Sequence, residues 1–511
     1  MTDALPRTSE VGVIGAGAMG AGIAQIAAQA GHRVHLFDTR MGAADQAKAK
    51  IGQTLAALAA KGKLAAADAD AAAARIVAVH ALGDMVSAAL VVEAIVEDME
   101  AKRKLLGDME VIVTPAAILA SNTSSLSITG LQAGMKHPGR IVGMHFFNPA
   151  PVLPLVEVVS GLGTDPAIAA AIYATAKAWG KVPVHAQSTP GFIVNRCARP
   201  FYGEALRLLN ERAADPATID AVMREAGAFR MGPFELMDLL GHDVNFAVTK
   251  SVWEAYFHDA RFTPSVLQQE LVAAGHLGRK SGRGFYTYGP DAAKPLPQTE
   301  PPQPRPRQIR AAGTSPLTVG LRERWADAGL AVAVAPADAA IAPSYFVVDD
   351  VLLVPSDGRT ATAIAATSGH PQLVVYDLAF DYRTCTRLAL ARADQCPESA
   401  LAAACGALQA AGIAASRLDD VAGLAAMRIV AMLANEAADA VTQGIANAGD
   451  VDLAMMNGVN YPRGPLGWAD AVGLPHVCAV LRHLAAHYGG DRYRLSPLLA
   501  RRCATGGKLG Q

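Results

Sequence analysis

Two residues able to share a proton lie twelve positions apart in apolar surroundings. His145 sits in Gly143-Met144-His145-Phe146-Phe147-Asn148-Pro149, and Glu157 in Leu155-Val156-Glu157-Val158-Val159. A histidine between apolar residues is, by itself, more often a satisfied core residue than part of a site. A carboxylate in an apolar strand is different, because its burial is costly unless it is paired. Pairing with His145 would meet that need, fix the imidazole tautomer and stabilise the imidazolium formed when the ring takes up a proton. Such a pair is equipped to remove a hydroxyl proton while hydride leaves the adjoining carbon. Other histidines, among them His80, His242 and His476, show no comparable partner in the sequence.

A hydride acceptor is suggested near the N-terminus. Val11-Gly12-Val13-Ile14 runs into Gly15-Ala16-Gly17-Ala18-Met19-Gly20, a G-x-G-x-x-G after a strand and opening a helix. Gly15 permits the tight turn, Gly17 the approach of a pyrophosphate, and Gly20 close packing of helix on strand. The helix start offers N–H groups and partial positive charge to phosphates. The second strand ends at Asp38, 23 residues after Gly15, where a carboxylate accepts hydrogen bonds from the adenosine ribose and repels a 2′-phosphate. The expected cofactor is therefore NAD, with Arg40 the one neighbour that speaks for NADP.

These residues need a sheet to position them. Residues 1–188 alternate β-branched runs with Ala-rich helical stretches, the pattern of a Rossmann-type doubly wound parallel sheet. The expected strands are Val11–Ile14, Val34–Phe37, Leu90–Ala94, Ile118–Ala120, Ile141–Phe146 and Leu155–Val159. Residues 189–288 read as an all-α domain, and 289–317 as a Pro-rich, solvated linker. Residues 318–415 read as a degenerate α/β domain without a glycine fingerprint, with strands at Tyr345–Val348, Val351–Val354 and Leu373–Tyr376. Residues 416–511 read as a second copy of the all-α domain. Glu204-Ala205 recurs as Glu436-Ala437, Asp220 as Asp452, Gly232-Pro233 as Gly464-Pro465 and Asp238 as Asp470, each 232 positions on without a gap. Such copies are expected to pack on one another as an internal pseudo-dimer.

The bulk properties exclude other classes. In 511 residues the net charge is -1 and charged residues are 18%, giving no electrostatic reason to seek nucleic acid or membrane. No apolar run approaches the roughly 20 residues that span a bilayer. The six cysteines lack paired spacing, so neither a metal site nor a disulfide framework is indicated, and a reducing cytoplasm is expected.

Several motifs together resemble the L-3-hydroxyacyl-CoA dehydrogenase family. They are Ala120-Ser121-Asn122-Thr123-Ser124-Ser125-Leu126, Met144–Pro149, Leu155–Val159, Thr189-Pro190-Gly191-Phe192-Ile193-Val194-Asn195-Arg196, Arg230–Leu236 and Gly278–Tyr286. The resemblance covers residues 8–288 and, through the second copy, 416–511. It implies NAD-dependent oxidation of the 3-hydroxyl of an acyl-CoA, with His145 as base and Glu157 as its partner. It further implies that Ser124 and Asn195 meet the substrate oxygen, and that Glu97, Lys102, Asn148 and Lys280 contact NAD. Thr54, Lys61 and Lys102 would meet the coenzyme A side; read alone, each lysine fits a solvated helix face, and Ser124 fits a helix cap. The long two-lobed arrangement is similar to the family members of bacterial phenylacetate degradation, which implies 3-hydroxyadipyl-CoA as substrate. A general short-chain enzyme of fatty-acid β-oxidation is the alternative, and a CoA-independent hydroxy-acid dehydrogenase a weaker one. A non-catalytic protein would be expected to have lost His145, Glu157 or the glycines. For a dicarboxylic chain, Arg196, Arg199 and Arg230 are the candidate cations. The duplicated helical domain would stand in for that of a partner subunit, and a homo-oligomer remains open.

Overall fold

The structure, a computed structural model, describes residues 3–338 and 341–510. The chain forms two compact units, one comprising the residues up to Arg196 with Gln443–Val459, the other Cys197–Thr442 with the residues from Asn460 onward.

The first unit is built on eight strands: β1 (Glu10–Ile14), β2 (Val34–Phe37), β3 (Ile76–Ala78), β4 (Ala88–Glu93), β5 (Ile118–Ser121), β6 (Ile141–Phe146), β7 (Leu155–Ser160) and β8 (Val182–Gln187). Their order is β3-β2-β1-β4-β5-β6-β7-β8. Neighbours pair in parallel except β6 and β7, so the last two strands run against the rest. The expected parallel sheet is thus correct for six strands and reversed for the final pair. Strands buried on both faces explain the near-continuous apolar runs; Val11, Val13, Leu90, Val92, Val142 and Met144 are wholly enclosed. The helix Ala448–Gly458 from the second helical copy belongs to this unit, where it packs on β7 and β8. Ahead of that helix, Gln187 N donates to Ile445 O at 2.8 Å.

The second unit holds a seven-stranded sheet: β9 (Ile309–Ala312), β10 (Val332–Ala335), β11 (Tyr345–Val348), β12 (Val351–Pro355), β13 (Leu373–Tyr376), β14 (Arg387–Arg392) and β15 (Ala414–Arg417). Their order is β10-β9-β11-β12-β13-β14-β15. β9 corrects the linker reading, since residues 309–312 are a strand in the sheet interior. Residues ahead of β9 are also tied down: Gln298 N donates to Thr218 Oγ1 at 2.8 Å and Gln303 N to Gln409 Oε1 at 2.7 Å. A proline-rich stretch cannot extend a sheet with its missing N–H groups, but its remaining amides and carbonyls still find partners.

The duplication reaches further than the helices. β13 lies 232 positions after β6, β14 after β7, and the helix Glu398–Ala410 after Pro166–Ala178. Within the second unit, the helix Arg199–Asn210 of the first copy packs on Ala426–Thr442 of the second. At their contact the wholly buried Glu204 accepts from Arg428 Nε at 2.8 Å and from Arg492 Nη2 at 2.6 Å. Burial alone would raise the Glu204 carboxyl, but the Arg492 and Arg428 charges outweigh it and hold it down at about 2. Among the described residues no helix is long and apolar enough to cross a membrane.

Candidate active site

The antiparallel register of β6 and β7 sets His145 directly opposite Glu157. Both are buried, and His145 Nδ1 lies 2.7 Å from Glu157 Oε2. The other carboxylate oxygen, Oε1, accepts from Ile193 N and Val194 N, each at 3.0 Å. With Nδ1–H donated to Glu157, Nε2 is left as the acceptor. Phe147 and Phe192 pack against the ring, with centroids 4.4 and 5.8 Å away, and restrict its rotation.

Beside this pair lies the loop after β5. Asn122 Oδ1 accepts from Phe146 N at 2.9 Å and so fixes the end of β6. Asn195 Nδ2 donates to the Ser124 carbonyl at 3.3 Å, which brings these two expected residues together. Glu97 organises the loop, accepting from Thr123 Oγ1 at 2.7 Å, Ser124 N at 2.9 Å and Ser125 N at 3.1 Å. Burial opposes its ionisation, but the Thr123 hydroxyl and the Lys102 ammonium prevail and hold Glu97 below the usual carboxylate range.

Lys102 departs from the expectation of a cation facing an anionic carrier. It is 1% exposed, and its ammonium lies 2.8 Å from Glu93 Oε2 and 3.4 Å from Glu97 Oε2. A buried lysine needs a counter-charge, and the wholly buried Glu93 at the end of β4 supplies it. Ser121 Oγ donates to Glu93 as well. The signal was present: Glu93 stands in an apolar run just as Glu157 does.

At the glycine loop, Gly15 has φ +101°, and a Cβ there would stand 2.5 Å from Ala94 O; at Gly20 it would stand 1.7 Å from Gly15 O. Both glycines are required by the chain itself. Gly17 is not, since an added Cβ meets nothing within 4 Å; its open face fits a pyrophosphate drawn close to the backbone. The following helix, Ala18–Gln29, has no side-chain cap on its first amides. Asp38 Oδ2 accepts from Ala16 N at 2.8 Å and Oδ1 from Arg40 N at 2.9 Å. Burial works against its charge, but the Arg40 and Ala16 hydrogen bonds win and lower its pKa. Donor set, glycine loop and carboxylate together fit NAD. A cavity of about 530 Å³ runs along the loop and is lined by Gly17, Ala18, Arg40, Thr54 and Asn148. Thr54 is exposed and bonds Lys50 O at 2.9 Å. Lys61 is exposed at the end of the helix Ala43–Ala60.

Lys280 belongs to the second unit, half exposed, with its ammonium 2.7 Å from Asp243 Oδ2. His242, expected to lack a partner, has one: its Nε2 lies 2.7 Å from Asp238 Oδ1, across the break at Gly241 between two helices. His476 Nε2 lies 2.9 Å from Ser356 O.

Residues 10–189 match the family model of the 3-hydroxyacyl-CoA dehydrogenase NAD binding domain. Residues 191–288 and 423–511 both match the C-terminal domain of the same enzymes. The chain belongs to the 3-hydroxyacyl-CoA dehydrogenase family. As a member it is an NAD-dependent oxidoreductase that oxidises 3-hydroxyacyl-CoA. Residues 353–421 match the reduced Rossmann-fold domain of 3-hydroxybutyryl-CoA dehydrogenase. The 3-hydroxyadipyl-CoA dehydrogenase of Escherichia coli (strain K12) is 41% identical over 492 residues, 96% of this chain and 97% of that one. The crystal structure of 3-hydroxybutyryl-CoA dehydrogenase from Escherichia coli K12 substr. MG1655 superposes with a TM-score of 0.88 at 39% identity, covering 98% of each chain. A probable 3-hydroxybutyryl-CoA dehydrogenase of Deinococcus radiodurans is 42% identical but spans only 54% of this chain, against 99% of its own. Shorter family members thus correspond to the first copy alone.

Proposed function

We propose that this dehydrogenase acts on (S)-3-hydroxyadipyl-CoA, in the cytoplasm, as a step of phenylacetate catabolism. The observation that carries the catalytic part is the His145–Glu157 pair, a buried imidazole with one nitrogen held and the other available. NAD, when bound, accepts the hydride released from C3. His145 Nε2 takes the proton of the 3-hydroxyl, and Glu157 balances the positive charge that the ring then carries. The Ser124 hydroxyl and the Asn195 amide orient the oxygen that becomes the ketone, and Glu97 keeps Ser124 in place. Gly15–Gly20 would receive the pyrophosphate, Asp38 the ribose and Asn148 the remainder of the cofactor. Thr54 and Lys61 face the coenzyme A portion.

The adipyl assignment is supported by the relative of that name, which matches the two-lobed chain almost end to end. A preference for the 3-hydroxybutyryl group is the second reading, favoured by the name of the superposing crystal structure. NADH formation with 3-hydroxybutyryl-, 3-hydroxyhexanoyl- and 3-hydroxyadipyl-CoA separates them. A clear kcat/KM advantage for the adipyl substrate is expected; equal or faster turnover of the neutral chains would replace it by a general short-chain enzyme.

A further inference from the structure

Buried arginines in the second unit are, with few exceptions, matched by acids. Arg428 has Glu204 and Glu211, Arg261 has Glu436 and Asp439, and Arg387 has Glu225. Arg199 breaks the pattern. It is 6% exposed, its Nη1 donates to Thr249 Oγ1 at 3.0 Å, and its guanidinium lies 4.9 Å from the centre of the Tyr202 ring. Among the described residues it has no carboxylate, and its Nε has no partner. Removing a guanidinium from water without an opposite charge is unfavourable, and a hydroxyl and an aromatic face replace only part of the lost hydration.

This arginine lines a cavity of about 210 Å³, together with Arg207, Thr249 and Ser265. Arg207 has only a share of an acid, since Glu204 beside it is hydrogen-bonded to Arg428 and Arg492. The buried Ser265 hydroxyl has no partner among the described residues either. One guanidinium without an acid, a second that has only a share of one, and a free hydroxyl therefore line one space. That space is smaller than the roughly 300 Å³ at which cofactor-sized pockets begin, so its occupant is small. Arginine forks match the oxygen pairs of carboxylate and phosphate.

We propose that this cavity is a binding site for a small oxyanion, a carboxylate or a phosphate, held by Arg199 and Arg207 with Ser265 as an additional donor. It lies among helices of the first copy and makes no use of the catalytic pair. Calorimetric titration of the full chain with succinate, inorganic phosphate and uncharged 1,4-butanediol tests it. One of the two anions should bind and the diol should not; preference for succinate identifies a carboxylate source, and preference for phosphate a phosphate source. Arg199→Met should weaken that binding about ten-fold or more, whereas Arg501→Met, which removes an exposed charge, should not change it. A thermal melt adds a signature that a purely structural arginine would not give. Without anion, Arg199→Met should melt no lower than the parent chain, and only the parent should gain stability when the anion is added. Should Arg199→Met fail to fold, Ser265→Val carries the same titration, with weaker binding expected. Absence of anion binding in the parent chain, or equal binding in the variants, overturns the site.

Discussion

The two sheets hold the chain that leaves them in different ways. In the first, Glu157 reaches from β7, with one oxygen on His145 and the other on the amides of Ile193 and Val194. In the second, the positions 232 further on hold Asp377 and Ala389. There the wholly buried Asp377 accepts from Ala425 N at 3.0 Å, Ala426 N at 2.7 Å and Met427 N at 2.9 Å, so it grips the corresponding helix start directly. The nucleotide ends differ in the same sense. Ser315 caps its own helix through Leu317 N, and Pro316 has no N–H, so the chain itself consumes groups that the first copy leaves for phosphates. Anchoring survived duplication and the histidine–carboxylate pair did not, which separates two contacts that Glu157 combines.

The comparison is broken most sharply at the histidine. His145→Gln should lower kcat/KM by about 10²–10⁴-fold while NAD binding, followed by fluorescence titration, persists; Asp377→Asn should leave kcat near that of the parent. A rate within a few-fold of the parent for His145→Gln would remove the base from the mechanism.

Next in size is the contact between the helical copies. Glu204→Gln leaves Arg428 and Arg492 buried without their acid and should cost about 3–5 kcal/mol in urea unfolding. The native carboxyl, held at about 2, lies below its ordinary 4.5. The stability it contributes is present above 4.5 and is lost as pH falls from there toward about 2, and Glu204→Gln should flatten that part of the acid limb.

Asp377→Ala should cost on the order of 3 kcal/mol, because it strands buried amides, and chemical denaturation with activity as a parallel readout will show whether kcat is spared. Here the pH dependence has the opposite sign. Burial pushes Asp377 up to about 6, above its ordinary 3.8. The folded state therefore holds the proton more tightly, and stability declines as pH rises between those two values. Asp377→Asn should abolish that decline.

The smallest effect belongs to Gly17→Ala. The new methyl meets no protein atom within 4 Å, so the melting temperature should barely move. KM for NAD should rise by roughly ten-fold because the pyrophosphate loses its close approach; an unchanged KM would place the cofactor elsewhere.

Much of this was readable from residues. The strand–glycine–Asp38 unit, the strands Val34–Phe37 and Ile141–Phe146, and the pairing of His145 with Glu157 all follow from patterns with one physical solution. What escaped has identifiable causes. β3 is three residues long, and β8 contains Pro183 and exposed His185, which suits an edge strand and blurs its periodicity. β9 was concealed by neighbouring prolines. The sheet part of the duplication was missed because Ile-Val-Gly-Met-His-Phe and Leu-Val-Val-Tyr-Asp-Leu share spacing and geometry but few identities. Lys102 carries the spacing of a solvated helix face, and its burial depends on Glu93, an acid nine positions earlier on a different element.

The membership of Gln443–Val459 in the first unit bears on how the molecule is made. Its edge strand β8 has His185 N bonded to Asp450 Oδ2 at 3.1 Å, yet those residues are 265 positions apart. During synthesis the cofactor-binding half must wait, with that edge uncovered, until some 250 further residues have emerged. Neither unit corresponds to a continuous stretch of gene, so recombination cannot exchange one without cutting the other. The duplication has interlocked the two halves as units of inheritance.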